Sequence, residues 1–235
     1  MQKHKMFVII RSERAAAMKE TVFYGQEAVW MELLDIVDEK GSPTGQTVER
    51  EKAHREGIRH RSSHVWLFRR HAGRVEVLLQ KRSSGKDSFP GCYDISSAGH
   101  IPAGVDYMPS AIRELREELG VEAEESELQY CGTRYIYYEE VFYGKPFVDN
   151  QVSNVYLLWL DREPGDFVLQ EEEVDKVEWF DFKECVELVR QNRIPHCIMM
   201  EELEMLRRKL DSLNCYPEET GNCPGGKSTE LRYRL

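Results

Sequence analysis

No apolar run in this 235-residue sequence approaches the roughly 20 residues that a membrane-spanning helix needs, so a spanning protein is not expected. The sequence also has no CxxC pair. Its six cysteines (Cys92, Cys131, Cys185, Cys197, Cys215 and Cys223) are scattered through a chain long enough to bury a core without staples. That argues against a disulfide framework and for free thiols in a reducing, cytoplasmic setting. Positive charge is in deficit: 32 Lys and Arg face 42 Asp and Glu, a formal net charge of −10. Such a surface repels phosphate backbones, so a nucleic-acid polymer is not an expected partner. A small phosphate-bearing ligand would need local basic residues or metal ions. There is no internal repeat. The stretch Met1–Ile10 has basic residues and then a short apolar run ended by Arg11, too short for the apolar region of a signal peptide.

What is present is an ordinary globular composition, 41% hydrophobic and 31% charged. Residues 1–30 read as an N-terminal extension with a short helix around Glu13–Glu20. Residues 31–213 read as one domain, and residues 214–235, rich in Gly, Pro, Ser and Glu, as a disordered tail. Within the domain, Met31 opens a short strand that runs into a turn, and Thr47–Glu56 is a polar loop or short helix. His64–Arg69 and Arg74–Lys81 form a hairpin around Gly73, followed by a loop over Ser83–Tyr93. A helix is expected from Pro109 to Leu119, with Pro109 in its first turn and Gly120 just past its end. Strands are expected over Gln129–Tyr138, Val152–Leu160 and Val174–Phe180, and helices over Phe182–Gln191 and Met199–Leu213. Strands and helices interleaved around one core predict an α/β sandwich.

The helix over Pro109–Leu119 carries the chemistry. At about 100° per residue, Met108, Leu115 and Leu119 fall within roughly 60° of Ile112 and make an apolar stripe. Glu114, Glu117 and Glu118 share an arc roughly 100° wide on the far side, at helical spacings that bring them together. Like charges so placed repel, and a hard divalent cation with a preference for oxygen would relieve the repulsion. The alternative is a solvated acidic face balanced by Arg113 and Arg116.

The stretch from Gly99 to Val121 decides between them. It runs Gly99, five residues, Val105, seven residues, then Arg113-Glu114-Leu115-Arg116-Glu117-Glu118-Leu119-Gly120-Val121, and it resembles the Nudix box. One fixed position departs: the first glutamate of the box is Val105, with Asp106 beside it as a one-residue shift. The resemblance implies a Nudix-type α/β/α sandwich with a mixed sheet and a phosphoanhydride hydrolase that uses Mg²⁺ or Mn²⁺. It implies Glu114, Glu117 and Glu118 as metal ligands, helped by the Gly99 carbonyl. Arg113 would orient a neighbouring carboxylate.

Outside the box, Leu79–Lys86, Phe89–Asp94, Ser96–His100 and Gln170–Val174 before Trp179 are similar to the isopentenyl-diphosphate isomerase branch. That similarity implies diphosphate contacts from Arg82 and Lys86, and it matches His64 and His100 to two histidines of the isomerase metal site, which makes them candidates for a second metal or for substrate binding. The isomerases' cysteine before Gly-His is Ala98 here, and their later Glu-x-Glu aligns with Asp149-Asn150-Gln151. Their Nudix box is degraded, whereas Glu114, Glu117 and Glu118 are all present. Hydrolysis of a nucleoside diphosphate derivative or another small organic pyrophosphate is therefore the leading expectation. An isomerase-like activity and a non-catalytic nucleotide-binding module are the alternatives. A homodimer is expected at family level only.

Overall fold

The computed structural model describes residues 19–24 and 27–213, with side-chain surroundings from Met31 onward. A three-stranded antiparallel sheet comes first: β1 (Lys19–Tyr24), β2 (Glu27–Val37) and β3 (Pro43–Glu49), in that order. Helix α1 (Arg50–Glu56) follows and is closed by Gly57 in the left-handed region, whose N–H bonds the Ala53 carbonyl. The second sheet contains β4 (His60–His71), β5 (Arg74–Arg82), β6 (Tyr93–Asp94), β7 (Ser97–His100), β8 (Gln129–Phe142), β9 (Lys145–Trp159) and β10 (Val174–Asp181). Its main path is β10-β5-β4-β9-β8, with β6 beside β5 and β7 beside β4. β4 and β9 run parallel and the other pairs antiparallel, so the sheet is mixed.

Helix α2 (Tyr107–Leu119) covers one face of this sheet; α3 (Phe182–Arg190) and α4 (Met200–Ser212) cover the other. The alternation of β4 divides the core between them. Val65 and Leu67 pack with Ala111, Leu115 and Leu119, whereas Trp66 and Phe68 pack with Phe182, Leu203 and Leu206. A central strand buried on both faces needs an unbroken apolar run, which Val65–Phe68 provides. The result is the expected α/β/α sandwich with a mixed sheet. Among the described residues no helix is long and apolar enough to cross a membrane.

The β4–β5 hairpin turns at Ala72 (φ 49°) and Gly73 (φ 77°), the left-handed pair of a two-residue hairpin turn. β4 starts four residues earlier than expected because β7 and β9 both pair with its first half. β8 and β9 also form a longer hairpin than expected, reversing at Tyr143 and Gly144, both at positive φ. Thr47–Glu56 divides between the end of β3 and α1. The helix expected around Glu13–Glu20 lies outside the described residues except for Lys19 and Glu20, which are in β1; the expected tail, residues 214–235, lies outside them too.

One polar network fixes α4 to the sheet. The buried Glu202 carboxylate accepts from Trp66 Nε1 (2.7 Å), Arg134 Nη1 (2.9 Å) and His64 Nδ1 (3.0 Å). Burial alone would raise its pKa; the attraction of His64 and Arg134 and the bonds from His64 and Trp66 overcome that and lower it to about 2.

Candidate active site

Helix α2 lies with Ala111, Leu115 and Leu119 fully buried, while Met108 and Ile112 are half-buried. The face against the sheet is thus centred nearer Ala111 and Leu115 than Ile112, a rotation toward the small side chain. It draws two of the glutamates inward. Glu118 is 6% exposed, and the side chains of Glu114 and Glu117 are 15% and 45% exposed. The acidic face is therefore not a solvated one, except at Glu117.

Gly99, on β7, is shaped to this helix. A Cβ there would stand within 2.5 Å of Glu114 Cγ and Oε1, so the glutamate occupies the space a side chain would need. Gly99→Ala is expected to displace Glu114 and to lower turnover about 100-fold, the scale of an ångström-sized misplacement, with a folded protein by circular dichroism. Unchanged turnover would show that the contact between Gly99 and Glu114 is incidental.

Arg113, itself buried, donates to Glu117 Oε2 (3.0 Å) and contacts Glu114 Oε1. Glu118 Oε2 accepts from the Ala98 amide (3.3 Å), a long bond for a buried carboxylate. Burial first, and then the Glu114 charge, raise the proton affinity of Glu118. Burial likewise raises that of Glu114, against the pull of Arg113. Two crowded carboxylates, Glu118 buried and Glu114 partly so, fit a hard cation: the donors are all oxygens, and a positive charge would offset both burial and repulsion. Asp106 does not stand in for the missing glutamate of the box. Its side chain is 92% exposed at the α2 N-terminus, 4.0 Å from Arg61.

Lys86 contacts Glu173 Oε2, and both are close enough to Glu118 to act on its charge. Glu173, at the end of the Glu171–Glu173 run, is thereby part of this neighbourhood. Arg82 is committed to the protein, donating to Asp94 Oδ2 (2.9 Å), to the Ser88 carbonyl (2.9 and 3.1 Å) and to Ser88 Oγ (3.2 Å). It ties the Ser83–Cys92 loop, which carries Lys86, to β6.

The histidines are arranged differently from the sequence expectation. His100 does not meet His64, which is held by Glu202. It meets His54 of α1 and His60 of β4, the ligand nitrogens of all three lying within 4.8 Å of one another. His54 Nε2 and His100 Nε2 are 3.0 Å apart, and His54 Nδ1 is 3.7 Å from Asp149. Gln151 is 3.4 Å from His100 and donates to Asp149. Desolvation lowers the pKa of His54 to about 3 and of His60 to about 4, and holds His100 well below its usual value, which favours uncharged rings, with one of His54 and His100 donating to the other. Phe147 stacks on His54 at 4.3 Å. Sequence reasoning misses His54 and sets His60 aside, because His60 and His64, four apart, lie on no expected helix and so make no strong metal pair. The available signal was the pairing of His60 with Gln151 and of Ser62 with His100, a register that no local pattern carries.

Fold and site together define a class: an α/β/α sandwich in which one helix gathers a buried, a partly buried and an exposed glutamate on one face, the partly buried one against a strand glycine. The chain belongs to the Nudix family, its residues 58–199 matching the NUDIX domain model. It is 40% identical over 156 residues to Nudix hydrolase 3 of Arabidopsis thaliana, covering 65% of this chain but 20% of that protein. It is 36% identical over 143 residues to an uncharacterized Nudix hydrolase of Clostridium acetobutylicum, covering 61% of this chain and 66% of that one. The chain thus matches less than two thirds of either relative's length. The crystal structure of DR0079 from Deinococcus radiodurans shares the fold at a TM-score of 0.55 and 19% identity, over 74% of this chain and 98% of that one. The enzyme class expected from the box, Nudix hydrolase, is that of the named relatives.

Proposed function

We propose that the chain hydrolyses a phosphoanhydride bond in a nucleoside diphosphate derivative or another small organic pyrophosphate, with Mg²⁺ or Mn²⁺. The observation that carries this reading is the crowding of two carboxylates on one helix face, the partly buried Glu114 against Gly99 and the buried Glu118 against the Ala98 amide. Glu114, Glu117 and Glu118, with the Gly99 carbonyl, would hold the metal. When bound, the cation supplies charge neutralisation for diphosphate oxygens and acidifies water. Arg113 orients Glu114 and Glu117. Lys86 brings positive charge to the diphosphate in a chain short of it, and Arg82 acts by holding the loop that carries Lys86. Glu173, paired with Lys86 and near Glu118, is the carboxylate outside the helix that this reading assigns to take a proton from the attacking water. In this reading residues 31–213 are the catalytic unit.

The test is a screen with Mg²⁺ and Mn²⁺ over nucleotide sugars, dinucleotides, nucleoside triphosphates and isoprenoid diphosphates. Metal-dependent release of phosphorylated products is expected for at least one class. Nucleotide binding by calorimetry with no turnover anywhere would instead support a non-catalytic module.

A second reading, isomerase-like chemistry, is favoured by one observation: His54, His60 and His100 beside Asp149 form a nitrogen-rich pocket of the kind implied by the isomerase resemblance. Imidazole donors suit zinc-like ions better than Mg²⁺. Against it, Ala98 and Gln151 occupy the positions that would move protons to and from carbon. Incubation with isopentenyl diphosphate separates the readings. Dimethylallyl diphosphate as product would overturn the hydrolase assignment.

A further inference from the structure

Val105 leaves the box without its first carboxylate, and Arg113 Nε is buried with no hydrogen-bond partner among the described residues. The loop bearing Val105 is nevertheless tightly held. Arg61 Nη2 donates to the Val105 carbonyl (2.8 Å) and to Asp35 Oδ2 (2.9 Å), and that same Asp35 oxygen accepts from the Gly104 amide (2.9 Å). The Arg61 guanidinium also sits over the ring of Tyr107, the first residue of α2, at 5.3 Å. Arg61 is 4% and Asp35 8% exposed. Main-chain bonds from Ala103 to Leu33 and from Ile101 to Arg61 complete the attachment of this loop to β2 and β4. The pair thus grips both the loop that follows Gly99 and the start of the helix that carries the glutamates.

We propose that the buried Arg61–Asp35 pair is a positioning device for the glutamate site, doing from β2 and β4 what a carboxylate at position 105 would do from within the box. The proposal rests on the metal-hydrolase reading. Neither residue touches metal or substrate; both act through the Gly99–Asp106 loop and the N-terminus of α2. Loss of a partner hydrogen-bonded directly to a metal ligand costs about 10- to 100-fold in metal affinity, and a pair acting through the loop is expected at the lower end of that range. Val105 lies on this same loop, its carbonyl already held by Arg61, so a glutamate there tests whether a carboxylate within the box can take over the role of the pair.

The experiment measures Mn²⁺ binding by calorimetry, amide hydrogen exchange and thermal unfolding for the parent, Asp35→Asn, Arg61→Lys and Asp35→Asn/Val105→Glu. Asp35→Asn and Arg61→Lys are expected to weaken Mn²⁺ binding about tenfold or more and to speed exchange at Gly104 and Val105. Val105→Glu should recover most of the affinity in the Asp35→Asn background. If Asp35→Asn does not fold, Arg61→Lys decides, since a lysine keeps the charge but cannot bridge Asp35 and Val105 in the same way. A lower melting temperature with unchanged Mn²⁺ affinity, or no recovery with Val105→Glu, overturns the proposal. If the parent itself binds no Mn²⁺, the metal reading fails. Exchange then decides the positioning role alone: faster exchange confined to residues 101–107 supports it, and unchanged or uniformly faster exchange refutes it.

Discussion

Glu118→Gln is expected to lower kcat by about 10³-fold, roughly 4 kcal/mol of transition-state stabilisation, while leaving the metal-free protein as stable as the parent or more so. The two effects have opposite signs because they come from the same charge. With metal bound, the Glu118 carboxylate is a ligand that an amide replaces poorly. Without metal, it is a buried carboxylate with a 3.3 Å bond to the Ala98 amide and with Glu114 beside it, and burial and Glu114 raise its pKa. A raised pKa means that the folded state holds the proton more tightly than the unfolded state. The contribution of Glu118 to the parent's stability should therefore be greatest below the ordinary carboxylate pKa and should be lost as pH rises through the raised value. Glutamine is neutral throughout and removes this share of the pH dependence. Melting curves with chelator present should show the difference between variant and parent widening in the variant's favour as pH rises. Wild-type turnover on a validated substrate would remove Glu118 from the metal site. A variant whose stability falls further behind the parent as pH rises would mean that the carboxylate's bonds outweigh its burial and repulsion.

How much of this site the sequence carries depends on whether the determinants are local. The spacing of Glu114, Glu117 and Glu118 is a helical period, and Gly120 at φ 62° ends the helix where expected. That part is legible without a fold. The helix's rotation is not: it depends on Ala111 packing against β4, and it decides that Glu118 is buried and Glu117 exposed. Gly99 is visible as a motif position, but its physical reason, the Glu114 side chain in the space of a Cβ, exists only after β7 and α2 meet. The histidine pocket is furthest from legible. Its members at positions 60 and 100 come together through β4 pairing with β7 and β9, and His54 reaches them from α1, so no local spacing marks the three as a group. The carboxylate that holds the loop beside Val105 is Asp35, 70 residues away in sequence, whose Oδ2 accepts from the Gly104 amide.

The stability of the opposite face should rest heavily on one side chain, and Glu202→Ala is expected to lower the melting temperature by about ten degrees. Its carboxylate is the common acceptor for Trp66 Nε1, Arg134 Nη1 and His64 Nδ1. Truncation leaves the Arg134 charge and two N–H donors without that acceptor in a dry setting. Breaking a buried pair from one side costs about 3–5 kcal/mol. For a chain of this size each kcal/mol moves the midpoint by roughly 2–4 °C. The loss is one of unpaired partners rather than of a favourable pair, so removing them as well should be milder. Glu202→Leu combined with Arg134→Met is expected to recover a large part of the deficit, with a coupling energy well outside additivity. The pH dependence supplies an independent sign. Because the folded-state pKa of Glu202 is lowered to about 2, its contribution is present above the ordinary carboxylate value and is lost as pH falls toward 2. Parent and Glu202→Ala midpoints should therefore converge in acid. A deficit that persisted undiminished at pH 3 would assign the loss to the cavity left by the side chain. A shift of less than about two degrees at pH 7, under 1 kcal/mol on the same scale, would mean that apolar packing of Leu203, Leu206 and Leu210 alone holds α4 on the sheet.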